Sequence, residues 1–247
     1  SEADRVHLIA EATKLGYATR DRYISDPTKV AVPVDWLLSD EHISQLNAMI
    51  DMKKAGAFAE SDFPVHKDTI YLSCVDADGT SISFINSLFS GFGSAIMAPE
   101  SGVMLHNRGQ SFNLIEGHVN AIAPGKRPMH TIIPGMLSKD GKILGPFGVM
   151  GGQYQSTGHA SFLTNVIDLG MDPQEAMDAP RSFALKGELQ VESTLAKETY
   201  AALEARGHVL KHMDKPIGGS QAVMIDPKTG VLTGASDPRK DGCALGY

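Results

Sequence analysis

The stretch from Lys67 to Ser87 constrains this chain more than any other. It holds two short runs of strand-favouring residues, with Tyr71 and Val75 in the first and Ile82 and Ile85 in the second, separated by Asp78-Gly79. An Asp-Gly pair between extended runs is a strong hairpin signal, because glycine accepts the positive φ that a tight turn needs. Thr69 opens the first run, directly after Ser61 to Asp68, a polar stretch that reads as an exposed loop. Two readings of Thr69 follow. It is a β-branched strand residue, or it is a nucleophile in a chain cut before it, where the freed amine serves as base for its own hydroxyl.

The rest of the composition narrows the setting. With 247 residues the chain can bury on the order of 70% of its unfolded surface in a core. Its net charge of −7 argues against a nucleic-acid partner held by bulk electrostatics. No run of about 18 apolar residues suggests a membrane helix, and no signal peptide is visible. The compartment, cytoplasmic or periplasmic, is not legible. Cys74 and Cys243 lie far apart, with Cys74 expected as a buried thiol in the nucleophile strand, so no disulfide framework is read. The nine histidines do not cluster at ligand spacing, so neither metal nor cofactor is expected. No GxSxG elbow, HExxH or GxxxxGK[ST] loop is present, and Asp76 and Asp78 read as turn residues and not as an acid–base pair.

Periodicity predicts a helix from Val6 to Ile24, stopped by Asp26-Pro27, and a second capped near Ser39. Lys53 to Lys67 reads as a mobile linker. After the hairpin come a glycine-rich bend (Ser90 to Ser94), a short strand at Val103-Met104-Leu105, and strands over Thr131 to Leu137 and Ile143 to Met150. Helices are expected over His159 to Leu169, from Pro173 to Met177, and from Leu195 to Arg206. Strands ending at Glu192 and over Val209-Leu210, Gln221 to Ile225 and Val231-Leu232 complete the set. This order suits an α+β chain of stacked antiparallel sheets with helices on the outer faces.

Five stretches, in order, resemble the small subunit of the γ-glutamyltransferase (γ-glutamyltranspeptidase) family. They are Thr69 to Gly79, Pro124-Gly125-Lys126-Arg127-Pro128, Gly148 to Gly152, Asp178-Ala179-Pro180-Arg181 and Gly234 to Arg239. Upstream, His7 to Pro27 resembles the end of the family's large subunit. The resemblance thus covers the chain but only the C-terminal half of a family precursor. It implies the four-layer αββα sandwich of N-terminal nucleophile hydrolases. Residues 1–68 would be the large-subunit-like end with a linker and 69–247 the small-subunit-like catalytic segment, together one structural domain.

The resemblance also implies roles. The Thr69 hydroxyl would attack the Asp68 carbonyl and split the chain there, and the new amine would then assist attack on an amide substrate. Gly151 and Gly152 match a pair offering backbone N–H groups to the oxyanion, with a strand-end turn as the plainer reading. Ser87 matches a hydroxyl that bonds the nucleophile, or is an ordinary strand-end serine. Arg108 and Ser111 stand where glutamate-specific members carry amide and carboxylate side chains, and His130 and Thr131 follow the Lys-Arg-Pro turn. An arginine there favours a substrate carboxylate over an α-ammonium group, unless it is a solvated loop charge. His130 reads as structural ahead of catalytic, and Thr131 keeps a hydroxyl.

The pattern is closer to the acylase-like and amidase-like branch. The expected partners are a small carboxylate-bearing amide and the missing N-terminal half of the precursor or a second chain, with a homo-oligomer of heterodimers left open. The rivals are a γ-glutamyl hydrolase or transferase acting on glutathione, and an uncut, non-catalytic fragment with a large apolar face left bare.

Overall fold

In the computed structural model, which describes residues 1–58 and 68–247, helix α1 (Glu2–Tyr23) starts at a capping box. The Ser1 side chain accepts from the Asp4 N–H, and the Asp4 carboxylate accepts from the Ser1 backbone. A single turn, α2 (Val34–Leu37), precedes α3 (Asp40–Asn47), whose N-cap Ser39 accepts from the His42 N–H. Strands β1 (Asp68–Val75) and β2 (Ser81–Phe89) follow, then a 3-10 turn (Arg108–Ser111), β3 (Pro134–Lys139) and β4 (Lys142–Met150). A second 3-10 turn (Gly152–Tyr154) leads into α4 (Gln155–Ile167), and α5 (Pro173–Asp178), β5 (Ser182–Leu185) and β6 (Glu188–Glu192) come next. The chain closes with α6 (Lys197–Ala205), β7 (Leu210–Met213), β8 (Gly219–Ile225) and β9 (Leu232–Ser236).

These elements form two compact units. The first takes Ser1–Pro64, Gly109–His130 and Pro180–Lys215, and the second Val65–Arg108, Thr131–Ala179 and Pro216–Tyr247. In the first, α1 lays Val6 and Ala10 on Ala184, Leu189, Val191, Leu195 and Leu203. Strands β5 and β6 are antiparallel, but β6 and β7 run parallel. The antiparallel expectation fails there because α6 carries the chain back between them, as a parallel pair requires. Asp26 ties the 109–130 segment down, accepting from the Arg127 N–H at 2.8 Å and its guanidinium at 3.1 Å.

The second unit is layered. A four-stranded sheet in the order β3-β4-β8-β9 carries α4 and α5 on one side, through Phe147, Phe162, Ala176, Met177, Ala222 and Ala235. The β1-β2 hairpin packs on β4 and β8 from the other side. Arg239 caps α5, donating to the carbonyls of Met177 (2.7 Å) and Ala179 (2.9 Å). Asp237 accepts from Ser220 N at 2.9 Å and anchors the start of β8. Through Ala179 and Arg239, these bonds link two of the family-like stretches, Asp178 to Arg181 and Gly234 to Arg239.

Two sequence expectations need correction, and one, Asp76 as a turn residue, holds. Cys74 is exposed, because it lies on the hairpin face turned away from the sheet. Val103 to Leu105 makes no strand, only an isolated bridge between Met97 and Met104. The Asp76 carboxylate is occupied by the turn itself, accepting from the N–H groups of Asp78 and Thr80. Part of the expected linker, 59–67, lies outside the described residues. Its start is pinned, with Ala55 N donating to Arg206 O at 2.7 Å.

Candidate active site

Thr69 lies on the inward face of β1, half-buried, at a break in the ladder. Asp68 pairs with Phe89 but Thr69 pairs with Ser87, so β2 carries one extra residue opposite this bond. Such a bulge bends the strand and re-aims side chains. The Thr69 hydroxyl donates to Ser87 Oγ at 3.1 Å, and the same oxygen accepts from Phe89 N at 3.0 Å. Phe89 is fully buried with φ at 80°, a conformation that costs a bulky residue about 1–3 kcal/mol and clusters at functional sites. Sequence reasoning missed Phe89, since nothing in a phenylalanine signals positive φ.

Arg108 is the next layer. Its side chain is 2% exposed and its guanidinium stacks over the Phe89 ring at 5.1 Å. One nitrogen donates to Thr131 Oγ1 at 3.4 Å. Burial lowers its pKa, so the cation is held at a desolvation cost. The loop before it is pinned to the bulge, with Asn107 N donating to Leu88 O at 3.1 Å and Ser90 N to Asn107 Oδ1 at 3.1 Å. The solvated-charge reading of Arg108 is therefore excluded. Ser111 lies in the first unit, where its buried hydroxyl donates to Met129 O at 3.0 Å. His130, in the same unit, is exposed and its Nδ1 donates to Pro128 O at 2.8 Å. The structure thus joins Thr69 with Ser87, and Arg108 with Thr131.

Two contacts fix how the hairpin lies on β4. The Tyr71 ring covers Gly148, where an added Cβ would meet its Cζ at 2.6 Å. Ser83, which pairs with Ser73, donates to Phe147 O at 3.3 Å. With its one proton used there, Ser83 accepts from the Tyr71 hydroxyl at 2.8 Å, and burial pushes that phenol up to about 12. Moving along β1 from Ser73 to Thr69 therefore follows β4 from Phe147 toward Gly151. Gly151 and Gly152 both take positive φ, 128° and 61°, and open the turn into α4. Within that turn the Tyr154 N–H donates to Gly151 O at 3.1 Å and the Gln155 N–H to Gly152 O. A side chain at Gly151 would press on Gly218 Cα at 2.9 Å. Behind the strand, His159 Nε2 accepts from Val149 N at 3.2 Å, and burial lowers its pKa to about 4.

The gamma-glutamyltranspeptidase family model matches residues 1–247. The chain belongs to that family. It is 36% identical, over 97% of its length, to a glutathione hydrolase-like proenzyme (YwrD) of Bacillus subtilis, of which it covers 47%. It is 36% identical to the oxamate amidohydrolase proenzyme of Klebsiella pneumoniae, covering all of this chain and 48% of that protein. A crystal structure of cephalosporin acylase from Bacillus halodurans superposes with a TM-score of 0.90 at 39% identity, over 99% of this chain and 46% of that one. The chain spans about half the length of the relatives it matches. Its α+β architecture is the N-terminal nucleophile hydrolase fold of this family.

Proposed function

We propose that this chain is the C-terminal half of a self-cleaving amidohydrolase with Thr69 as nucleophile. The observation that carries the reading is the Thr69 hydroxyl bonded to Ser87 Oγ at a strand bulge facing the sheet. Attack of Thr69 Oγ on the Asp68 carbonyl carbon breaks the peptide C–N bond and leaves an ester with a free amine. Water then hydrolyses the ester, giving an Asp68 carboxylate and an N-terminal Thr69. That amine, with an ordinary pKa near 7.7–8.0, takes the hydroxyl proton when Thr69 attacks a substrate amide. The substrate nitrogen leaves protonated as an amine, and water or a second amine collects the acyl group. Backbone donors at Gly151 and Gly152 stabilise the oxyanion, worth about 3 kcal/mol each by analogy with a single donor elsewhere.

Arg108 and Thr131 support a substrate bearing a carboxylate. A buried guanidinium matches that group bidentately. The acylase and amidohydrolase relatives are consistent with this choice, whereas the glutathione hydrolase relatives keep a γ-glutamyl amide as the competing substrate.

The remaining partner is the N-terminal half of the precursor. The hairpin turns its hydroxyl-rich face inward and its apolar face outward, with Ile70 71% exposed and Leu72, Ile82 and Phe84 each near half exposed. An apolar sheet face of that kind is a surface meant to be covered. Relatives about twice as long that are proenzymes support the same segment as its cover.

Mass spectrometry of the purified full-length precursor, followed by turnover of a glutaryl or oxamate amide against a γ-glutamyl anilide, tests the reading. Two chains split at 68–69 with preference for the carboxylate-bearing amide are expected. An intact chain that never matures would overturn the mechanism, and preference for the γ-glutamyl compound would overturn the substrate class.

A further inference from the structure

The fold brings together three donors that spacing kept apart. His7 and Glu11 stand one turn apart on the same face of α1, and His208 follows α6, 201 residues from His7. One ligand atom from each lies within 4.8 Å of the others, and all three side chains are at least nine-tenths buried. His7 Nε2 faces the carbonyl of Asp51 at 2.9 Å, and a carbonyl only accepts, so that nitrogen holds the proton. The neutral ring then presents the Nδ1 lone pair to His208 Nε2, 2.7 Å away. A ring locked by a backbone carbonyl on its far nitrogen is the usual outer-shell arrangement of a metal-binding imidazole. Glu11 is locked as well, with Oε2 accepting from Gly56 N at 2.9 Å. Its Oε1 is met by the Lys14 ammonium at 2.5 Å, which also donates to Gly56 O at 2.7 Å.

We propose that His7, Glu11 and His208 form a binding site for a divalent transition ion of the zinc type, and that Lys14 competes with the ion for the Glu11 carboxylate. Two imidazoles and a carboxylate are the borderline donor set that Zn²⁺ and Co²⁺ accept. Tetrahedral ligands at Zn–N distances of about 2.0–2.1 Å lie about 3.3 Å apart, so the two rings need to part by about 0.6 Å. No covalent step is involved. His208 moves its proton from Nε2 to Nδ1, the ion takes the Nε2 lone pair, and Lys14 withdraws. Lys14 has somewhere to go, since it is 21% exposed and, with His208, lines a cavity of about 240 Å³. Water in that cavity supplies the fourth ligand. The ion would join α1, the 51–56 segment and the loop after α6 within the first unit, which none of the chemistry at Thr69 uses.

The test uses the full-length protein, stripped with chelator and titrated with Zn²⁺ and with Co²⁺. One ion per chain is expected, with the visible absorption of tetrahedral Co²⁺ and a rise in melting temperature as Zn²⁺ is added. His208→Gln should weaken binding by about 100-fold or more, in line with losses of 10–100-fold from outer-shell changes alone. Lys14→Met, which keeps length and removes the competing charge, should tighten Zn²⁺ binding by roughly 10-fold, about 1.4 kcal/mol. A role for these residues that is only structural predicts the opposite for Lys14→Met, a less stable protein with no gain in affinity. If His208→Gln fails to fold, the Co²⁺ spectrum of the parent and the Lys14→Met titration still decide. Absence of stoichiometric binding at about 100 μM free Zn²⁺, or binding unchanged in both variants, overturns the proposal.

Discussion

Gly148→Ala is the sharpest probe of how the hairpin is seated. The new methyl would press on Tyr71 Cε2 and Cδ2, nearer still than its 2.6 Å to Cζ, while ordinary contact begins at 3.4 Å, so the ring must retreat by more than 0.8 Å. Tyr71 is 4% exposed and its hydroxyl is held by Ser83, so the ring cannot rotate away and the strand must move with it. Overpacking of this kind costs about 1–3 kcal/mol, which for a chain of this size lowers the melting temperature by roughly 2–12 °C. Thr69 is two residues along the same face. A displacement of that size would stretch its 3.1 Å bond to Ser87 beyond hydrogen-bond range.

The expected consequence is cleavage at 68–69 slowed by about 100-fold, the usual penalty for misplacing a reacting group by 1 Å. Scanning calorimetry and a gel time course of precursor splitting measure the two effects. Gly135→Ala is the control. Its methyl would meet Phe147 Cζ at 2.7 Å on the helix side of the same sheet, so it should cost similar stability and leave cleavage intact. A Gly148→Ala protein within about 0.5 kcal/mol of the parent that matures at the parent rate would refute the packing of β1 on β4.

Further outcomes are expected. Thr69→Ala should leave the precursor as one chain by mass spectrometry and abolish amide turnover. Arg108→Met should raise KM for a carboxylate-bearing amide by about 10–100-fold while changing that of a neutral amide little, since a charge-assisted bond is worth about 1.5–3 kcal/mol; equal losses on both would remove Arg108 from substrate binding. The buried His159 titrates near 4 in the fold against an ordinary 6.5. Its contribution is therefore complete above pH 6.5 and is lost as pH falls toward 4, by about 3 kcal/mol, and His159→Gln should flatten that acid-side decline in a chemical-denaturation series. Leu72→Asp on the outer hairpin face should prevent association with the N-terminal half, read by size-exclusion chromatography, while Asp76→Asn in the turn should not.

What the sequence made legible was local. Asp78-Gly79, the Ser39 cap, Pro173 at the head of α5 and the apolar runs of β1, β2, β4 and β8 are decided by neighbours a few residues away. What it hid depends on partners far along the chain. Ile70, Leu72, Ile82 and Phe84 look like core residues, yet they face outward, because alternation gives two faces without saying which is covered. The parallel β6-β7 pair was missed for the same reason, since direction is set by the route through α6. Arg108 could not be told from a loop charge until Phe89 and Thr131 closed around it. The histidines looked scattered because His7 and His208 meet only in the fold.

The core of the first unit also bears on what happens after the backbone is severed. Val6 and Ala10 come from upstream of Thr69, and the residues they bury against, from Ala184 to Leu203, come from downstream. Arg206 reinforces the join, bonding the Ala3 carbonyl at 3.1 Å and the Asp4 carboxylate. Scission at 68–69 would therefore yield two polypeptides already clasped by shared apolar packing, separable by denaturant but not by dilution.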